Sequence, residues 1–324
     1  MNAKPLVGIG SVCLLLGSAA WAPVVMAAQF PERTIRAIVP WAPGGSTDVV
    51  GRLVAADMTT RLKQTVLIDN RAGAGSILGL QIAAQTPPDG YTVLITSTAY
   101  GFLIDKPNPP VDLVDSFAPV AFLGYSDGAF TVTPQLPVNS VKELLALAKA
   151  KPGMLTYASS GIGGFPQLNT ELLKIITGVD ILHVPYQGGG PAAISAMSGN
   201  TQVYFGSLPT VMTQITSGRL KLLATGGLKR NPDFPNVPTV SETVPGFETY
   251  IWFGMFAPRG TPPAIIERLH DAIEEGLASP ELVKKLALQG AVPKKMSSAE
   301  FGKLMASETV KWGDVIKRAK IKGE

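Results

Sequence analysis

The spacing of apolar residues changes period repeatedly along the chain. Between Arg33 and Val39 polar and apolar positions alternate, with β-branched Ile35, Ile38 and Val39. After Pro40-Trp41-Ala42-Pro43-Gly44-Gly45-Ser46-Thr47-Asp48, the apolar residues Val49, Val50, Leu53 and Val54 return at helical spacing. A period of two giving way to one of 3.6 predicts strand, loop and helix. The unit recurs at Thr65-Val66-Leu67-Ile68, which runs into Asn70-Arg71-Ala72-Gly73-Ala74-Gly75-Ser76 and then an apolar helix with Ile77, Leu78, Leu80 and Ile82. Tyr91-Thr92-Val93-Leu94-Ile95 is a third strand, ending in Thr96-Ser97-Thr98. Met154 to Tyr157 leads to Ser159-Ser160-Gly161-Ile162-Gly163-Gly164, Ile181 to Val184 leads to Pro185-Tyr186-Gln187-Gly188-Gly189-Gly190, and Val203 to Phe205 meets Gly206-Ser207.

Strands alternating with helices call for right-handed crossovers and parallel sheets covered on both faces, so the fold class is α/β. Ser140 with Glu143 predicts a capping box for a helix over Val141 to Lys151, and Ser297 with Glu300 starts another. Thr261-Pro262-Pro263 opens a third helix running to about Ala278. The aromatic-rich stretches Phe122 to Val132 and Tyr250 to Phe256 read as strands, and they become crossings between two lobes if the last helices return to the first sheet. The proline-rich segments Lys106 to Pro110 and Asn231 to Pro245 are loops.

The N-terminus reads as an address. Lys4 precedes an almost uninterrupted apolar and small-residue stretch from Pro5 to Ala20, the pattern of a secretory signal. Cleavage after Ala28 is favoured over Ala22, because Gln29-Phe30-Pro31 begins a different sequence texture. Pro23 interrupts the stretch before it reaches the roughly 20 clean apolar residues of a membrane-spanning helix. Removing residues 1–28 also removes Cys13, the single cysteine, which suits an oxidising periplasm.

Composition narrows the chemistry. With 46% hydrophobic and 16% charged residues, and 34 glycines and 27 prolines among 324, the chain is folded rather than low-complexity. The net charge of +4 is dispersed, without a basic stripe interleaved with aromatics, so nucleic acid is not an expected partner. One cysteine and two histidines leave no metal cage, and no cofactor is expected.

In open α/β sheets ligands gather at the carboxyl ends of strands. The loops there are built from Gly, Ser, Thr, Ala and Pro, and offer N–H groups, hydroxyls and helix ends suited to a carboxylate or phosphate. They supply the candidate ligand-binding set: Trp41, Pro43, Gly44, Gly45, Ser46, Thr47, Asp48, Ser97, Thr98, Ser159, Ser160, Gly163, Tyr186, Gln187, Gly188 and Gly206. For Asp48 a loop-holding or capping role stands beside direct contact, and for Trp41 a packed strand-end aromatic stands beside an apolar pocket wall. No catalytic residue is expected. Gly124-Tyr125-Ser126-Asp127-Gly128 has the letters of a nucleophile elbow, but a strand follows where the motif needs a helix. His183 lies in an apolar strand, where packing explains it, and His270 in a charged helix, where it reads as solvated surface. Gly73 to Gly79 is one residue too long for a dinucleotide fingerprint, and Gly161-Ile162-Gly163 ends in Pro166 where the third glycine belongs.

Several segments together carry a family likeness: Val39 to Asp48, Ile68 to Gly75, Pro88-Asp89-Gly90-Tyr91-Thr92, His183 to Gly188, Pro235 to Val240 and Trp252 to Pro258. They resemble the Bug family, extracytoplasmic binding proteins of tripartite tricarboxylate transporters. The resemblance implies a type II periplasmic-binding-protein fold, two α/β lobes with a cleft between them. It places residues 29–127 and 251–324 in one lobe and 128–250 in the other. It also implies a monomeric, non-enzymatic receptor that closes on a small carboxylate and delivers it to membrane permease subunits. The loop matching Pro43 to Thr47 would hold one carboxylate, with the loops at Thr96 to Thr98, Ser159 to Gly164 and Tyr186 to Gly189 closing on it. Many relatives carry an Asp where Gly206 stands, and a His where Pro166-Gln167 opens the helix. The first departure inclines the reading towards a ligand without an amino group. Two alternatives are a receptor feeding a sensor and a secreted hydrolase using Ser126.

Overall fold

The computed structural model describes Met1 and residues 30–98 and 109–322. The leader expected over residues 1–28 and most of the Lys106 to Pro110 segment lie outside the described residues. The first periodic unit becomes β1 (Ile35–Val39) and α1 (Ser46–Leu62); the second becomes β2 (Val66–Asn70), a short turn of 3-10 helix and α2 (Ile77–Ala84); β3 (Thr92–Ser97) follows. A single helical turn, α3 (Leu113–Ser116), leads into the sixteen-residue β4 (Phe117–Val132). Then come α4 (Val141–Ala150), β5 (Thr156–Ser159), α5 (Phe165–Thr177), β6 (Leu182–Pro185), α6 (Gly189–Ser198), β7 (Val203–Ser207), α7 (Leu208–Thr216) and β8 (Lys221–Thr225). The chain closes with β9 (Tyr250–Pro258), α8 (Pro263–Leu277), α9 (Pro280–Ala287), the two-residue β10 (Ala291–Val292) and α10 (Ser298–Ala319).

Among the described residues the strands form one continuous sheet in the order β2-β1-β3-β9-β4-β7-β5-β6, with β8 and β10 also on β4. The two flanks are parallel, as βαβ units require: β1 with β2 and β3, and β5 with β6 and β7. The centre is antiparallel. Strand β4 pairs with β9 from Phe117↔Pro258 to Asp127↔Tyr250, and from Gly128↔Ser207 onward it pairs with β7. The exchange of partners is fixed by close packing: a Cβ on Gly128 would lie 2.9 Å from the Phe205 ring, and Gly226 backs onto the Gly128 Cα.

Each stretch of β4 has its own core. Phe122, Trp252, Phe256, Phe301 and Trp312 fill the first, with Phe301 edge-on to Phe122 and Trp252 at 5.4 and 5.8 Å. Phe130, Tyr157, Phe205 and Phe247 fill the second, and Phe205 stacks on Phe130 at 4.6 Å. Such pairs add about 0.5–1.5 kcal/mol each beyond their area burial. The expected caps are present in modified form. Ser297 and Glu300 make the full reciprocal box. At α4 the Ser140 hydroxyl accepts the Glu143 N–H, while the Glu143 carboxylate accepts from Asn139 instead.

Gly254 on β9 packs directly under Phe301 of α10, and a Cβ there would run into the ring. Gly254→Ala is expected to lower stability by about 1–3 kcal/mol through overpacking. Gly302→Ala, in open space on the same helix, is expected to raise it by about 0.5–1 kcal/mol. Urea unfolding of the two variants beside the parent checks both signs.

Candidate ligand-binding site

One pocket lies where the two sets of strand-end loops meet. Trp41, Gly45, Ser46, Thr47, Ser97, Thr98 and Ile251 line it from one side, and Ser160, Phe165, Pro166, Gly189, Tyr204, Ser207 and Thr210 from the other. Its cavity is about 30 Å³, room for little more than bound water. No charged side chain is among the lining residues. Instead four helices begin here: α1 behind Gly45, α5 behind Gly164, α6 behind Gly188 and α7 behind Ser207, none with a side-chain hydrogen bond at its cap. Helix starts leave N–H groups without an intrahelical acceptor and carry partial positive charge. Hydroxyls fill the gaps between them. Thr47 Oγ1 and Ser97 Oγ are 2.8 Å apart, and Thr210 Oγ1 accepts the Ser46 N–H at 3.0 Å.

Of the residues expected from sequence, Trp41, Gly45, Ser46, Thr47, Ser97, Thr98 and Ser160 line this pocket. The others are placed elsewhere, each for a visible reason. Asp48 accepts the Gly44 N–H at 3.0 Å and also binds Arg52 and Asn70. Burial pushes its carboxyl pKa up, but the hydrogen bonds from Arg52, Gly44 and Asn70 outweigh burial and hold it below the usual carboxylate value. Ser159 is bonded to His183 and Gly161, and the Gly163 N–H to Gln167. The Tyr186 hydroxyl donates to Ser195. Gly206 is covered by the ring of Tyr204, two residues earlier on the same face of β7.

The remaining expected residues, Pro43, Gly44, Gln187 and Gly188, sit in two loops whose backbones meet through Ala42 and Gly190. Ala42 N–H donates to the Gln187 carbonyl at 3.1 Å. A Cβ on Gly188 would lie 2.9 Å from Ala42 N, one on Gly190 2.5 Å from the Pro43 carbonyl oxygen, and one on Gly45 3.4 Å from Gly189 N. Gly44 faces the Gly190 Cα. Backbone thus meets backbone across the pocket rim, and at Gly188 and Gly190 the approach is one that only glycine permits.

Gly189, at the end of the Tyr186 to Gly189 loop, completes the lining together with Phe165, Pro166, Tyr204, Ser207, Thr210 and Ile251, which the sequence reading did not name among the ligand-binding residues. Strand parity carries a signal for one of them: Tyr204 and Gly206 share a face, and a glycine beside a tyrosine leaves the ring room to fold over it. Burial keeps the Tyr204 phenol pKa raised, with Thr210 hydrogen bonding acting the other way, so it stays a neutral hydroxyl. The hydrolase alternative has no geometry. Ser126 is fully buried and donates to the Gly290 carbonyl at 2.5 Å. Neither histidine serves it: His183 is a hydrogen-bonded member of a polar cluster, and His270 Nδ1 donates to the Val120 carbonyl at 2.8 Å, a tether in place of the free surface position expected.

The model of the family described as tripartite tricarboxylate transporter family receptor matches residues 50–321. The protein BugT of Bordetella pertussis is 34% identical over 328 residues, covering 99% of this chain and all of that one. The structure of R. palustris Rpa4515 with adipate is 34% identical at a TM-score of 0.87, covering 90% of this chain and 99% of the other. The periplasmic binding protein BugD gives 30% identity and 0.85, covering 91% and 100%. The fold is therefore that of the periplasmic binding proteins. The family is one of receptors and not of enzymes.

Asp48→Asn is expected to cost about 1–3 kcal/mol at pH 7, because it removes a buried charge-assisted hydrogen-bond hub. A carboxylate with a depressed pKa stabilises above its unfolded pKa, and that contribution disappears as pH falls through the lower folded value. The gap between parent and variant should therefore close progressively below about pH 4. Denaturant midpoints measured from pH 7 to pH 2.5 test it, and a constant gap contradicts the assignment.

Proposed function

The chain belongs to the tripartite tricarboxylate transporter receptor family, and we propose that it captures a small carboxylate lacking an amino group in this pocket and passes it to membrane permease subunits. The observation that carries the reading is the convergence of four helix starts without side-chain caps on one hydroxyl-lined space. Each such terminus favours an anion by about 0.3–1 kcal/mol, and by up to about 2 kcal/mol when partly buried. The same pocket is unsuited to an ammonium group. No carboxylate lines it, Asp48 is committed to Arg52, Gly44 and Asn70, and a cation buried there would lose water without gaining a counter-charge. The adipate held by the Rpa4515 protein is a ligand of this class.

Entry requires the rim to part, since the cavity is far below the roughly 300 Å³ of ordinary ligand pockets. Residues 29–127 with 251–324 form one lobe in this reading, and 128–250 the other. The change of β4 from β9 to β7 between Asp127 and Gly128, and the start of β9 at Tyr250, support hinges at those points. The receptor works in the periplasm after loss of residues 1–28. Among the described residues no helix is long and apolar enough to cross a membrane.

A matched pair of ligands tests the selectivity. Malate and aspartate differ by a hydroxyl against an ammonium on the same four-carbon skeleton. Adipate and malate are expected to raise the melting temperature of the purified mature chain and aspartate to leave it unchanged; a ligand at a hundred times its Kd stabilises by about 2.7 kcal/mol. An aspartate shift matching that of malate overturns the selectivity, and no shift with any carboxylate overturns the receptor reading.

A further inference from the structure

Behind the pocket, Ser159, His183 and Gln167 make a chain of hydrogen bonds with only one consistent arrangement of protons. The Gly163 N–H lies 2.7 Å from Gln167 Oε1, and an N–H can only donate, so the amide oxygen is fixed there. The Gln167 Nε2 is then a donor, and it faces His183 Nδ1 at 3.3 Å. That nitrogen must accept, which puts the imidazole proton on Nε2, 2.5 Å from Ser159 Oγ. Ser159 Oγ accepts this proton and the Gly161 N–H at 3.1 Å, and its own hydrogen reaches the Gly161 carbonyl at 3.3 Å. Both ends of the chain thus terminate on the backbone of one loop. Gly161 and Gly163 in that loop have φ of 111° and 71°, the left-handed region that needs glycine and external support.

We propose that Ser159, His183 and Gln167 form a positioning circuit that sets the shape of the loop from Ser160 to Gly164, and through it the placement of Ser160, Phe165 and Pro166 on the pocket wall, and that the circuit closes only around a neutral imidazole. The inference rests on the reading of this pocket as the carboxylate site. A second proton on Nδ1 would face the Gln167 NH₂, donor against donor, and release the amide that holds Gly163. The surroundings keep the ring neutral. Burial pushes the His183 pKa down to about 4, the Glu171 carboxylate raises it and Lys174 lowers it. Tyr157 of β5 stacks on the ring at 4.9 Å, and its hydroxyl donates a hydrogen bond to Glu171 Oε1, which also accepts from Lys174 at 2.9 Å. The Glu171 carboxylate is therefore already paired with the Tyr157 hydroxyl and the Lys174 ammonium. A histidine with a lowered folded pKa costs stability as pH falls below its unfolded value near 6.5, and its charge change is complete below the folded value.

Nitrogen-15 spectra of histidine in the full mature protein test the circuit without any ligand. The expected state at pH 7 is the Nε2–H tautomer with slow amide exchange at Gly161 and Gly163, and a titration midpoint near pH 4. The opposite tautomer, or a midpoint near 6.5, overturns the proposal. Gln167→Glu keeps the acceptor for Gly163 but removes the donor to Nδ1. It should invert the tautomer or raise the midpoint, speed exchange at Gly161, and weaken adipate at least fivefold with the circular dichroism of the parent retained. Unchanged adipate affinity with an inverted tautomer would show that the chain does not position the wall. Should that variant fail to fold, the parent's tautomer and midpoint still decide. Expected spectra combined with no adipate binding in either protein would instead defeat the carboxylate reading and leave the circuit standing.

Discussion

A helix must find acceptors for the N–H groups of its first turn, and at the pocket the side chains that usually provide them are withheld. The chain uses such caps elsewhere. Ser140 and Ser297 each accept an N–H three residues on at α4 and α10. Around the pocket the cap positions are Gly45, Gly164 and Gly188, which have no side chain, and Ser207, whose hydroxyl pairs with Thr210. A buried donor left without a partner costs about 1–3 kcal/mol. The Ser46 N–H at the start of α1 finds Thr210 Oγ1, and Pro166, Pro191 and Pro209 remove one donor each from the first turns of α5, α6 and α7, so fewer N–H groups need an outside acceptor than four ordinary helix starts would present. The sheet topology serves this arrangement. Parallel flanks bring the starts of α1, α5, α6 and α7 to the carboxyl ends of β1, β5, β6 and β7, and the antiparallel centre turns the two sets of ends towards each other.

The repeated change of period made the α/β units legible, since a two-residue and a 3.6-residue repeat cannot both satisfy one element. Ser297 with Glu300, and Pro262 with Pro263, marked helix starts because caps and N1 prolines are local chemistry. The length of β4 was not legible. Pro119, Gly124 and Gly128 interrupt its pattern; register shifts at Pro119/Ala121 and Phe122/Gly124 absorb the first two through pairing with β9 more than a hundred residues away, and Gly128 falls where the partner changes to β7. The region of the site was readable from loop composition. Individual contacts were not, because a loop's composition does not say which of its atoms face inwards. Tyr204, Thr210 and Ile251 reach the pocket from a strand face, the first turn of a helix and the start of a crossing strand, positions that lie outside the loops.

Glycine shows the same limit from another side. Its missing Cβ allows close approach, but nothing local says to what. At Gly44, Gly45, Gly188 and Gly190 the approaching group is the opposite loop's backbone, so these residues shape the rim and bring two chains of peptide groups together. At Gly206 it is the molecule's own Tyr204 ring. In each case the close approach that a glycine allows has its partner within the protein itself.

Three groups that titrate near the pocket are engaged within the protein. Asp48 is held ionised and paired, Tyr204 is held as a phenol, and His183 is held neutral within its circuit. What remains to face a ligand is a set of fixed dipoles whose strength does not follow pH near neutrality. A site built from charged side chains would attract any counter-ion and repel any like charge over a Debye length of about 8–10 Å. Helix ends act within about a turn of their terminus. In the proposed receptor, discrimination therefore begins only when a ligand's own charged group is seated among the N–H donors, and the rest of the ligand must fit walls made by Trp41, Phe165, Pro166 and Tyr204. Selectivity by shape follows from that short range, because a molecule that cannot reach the helix starts gains nothing from them.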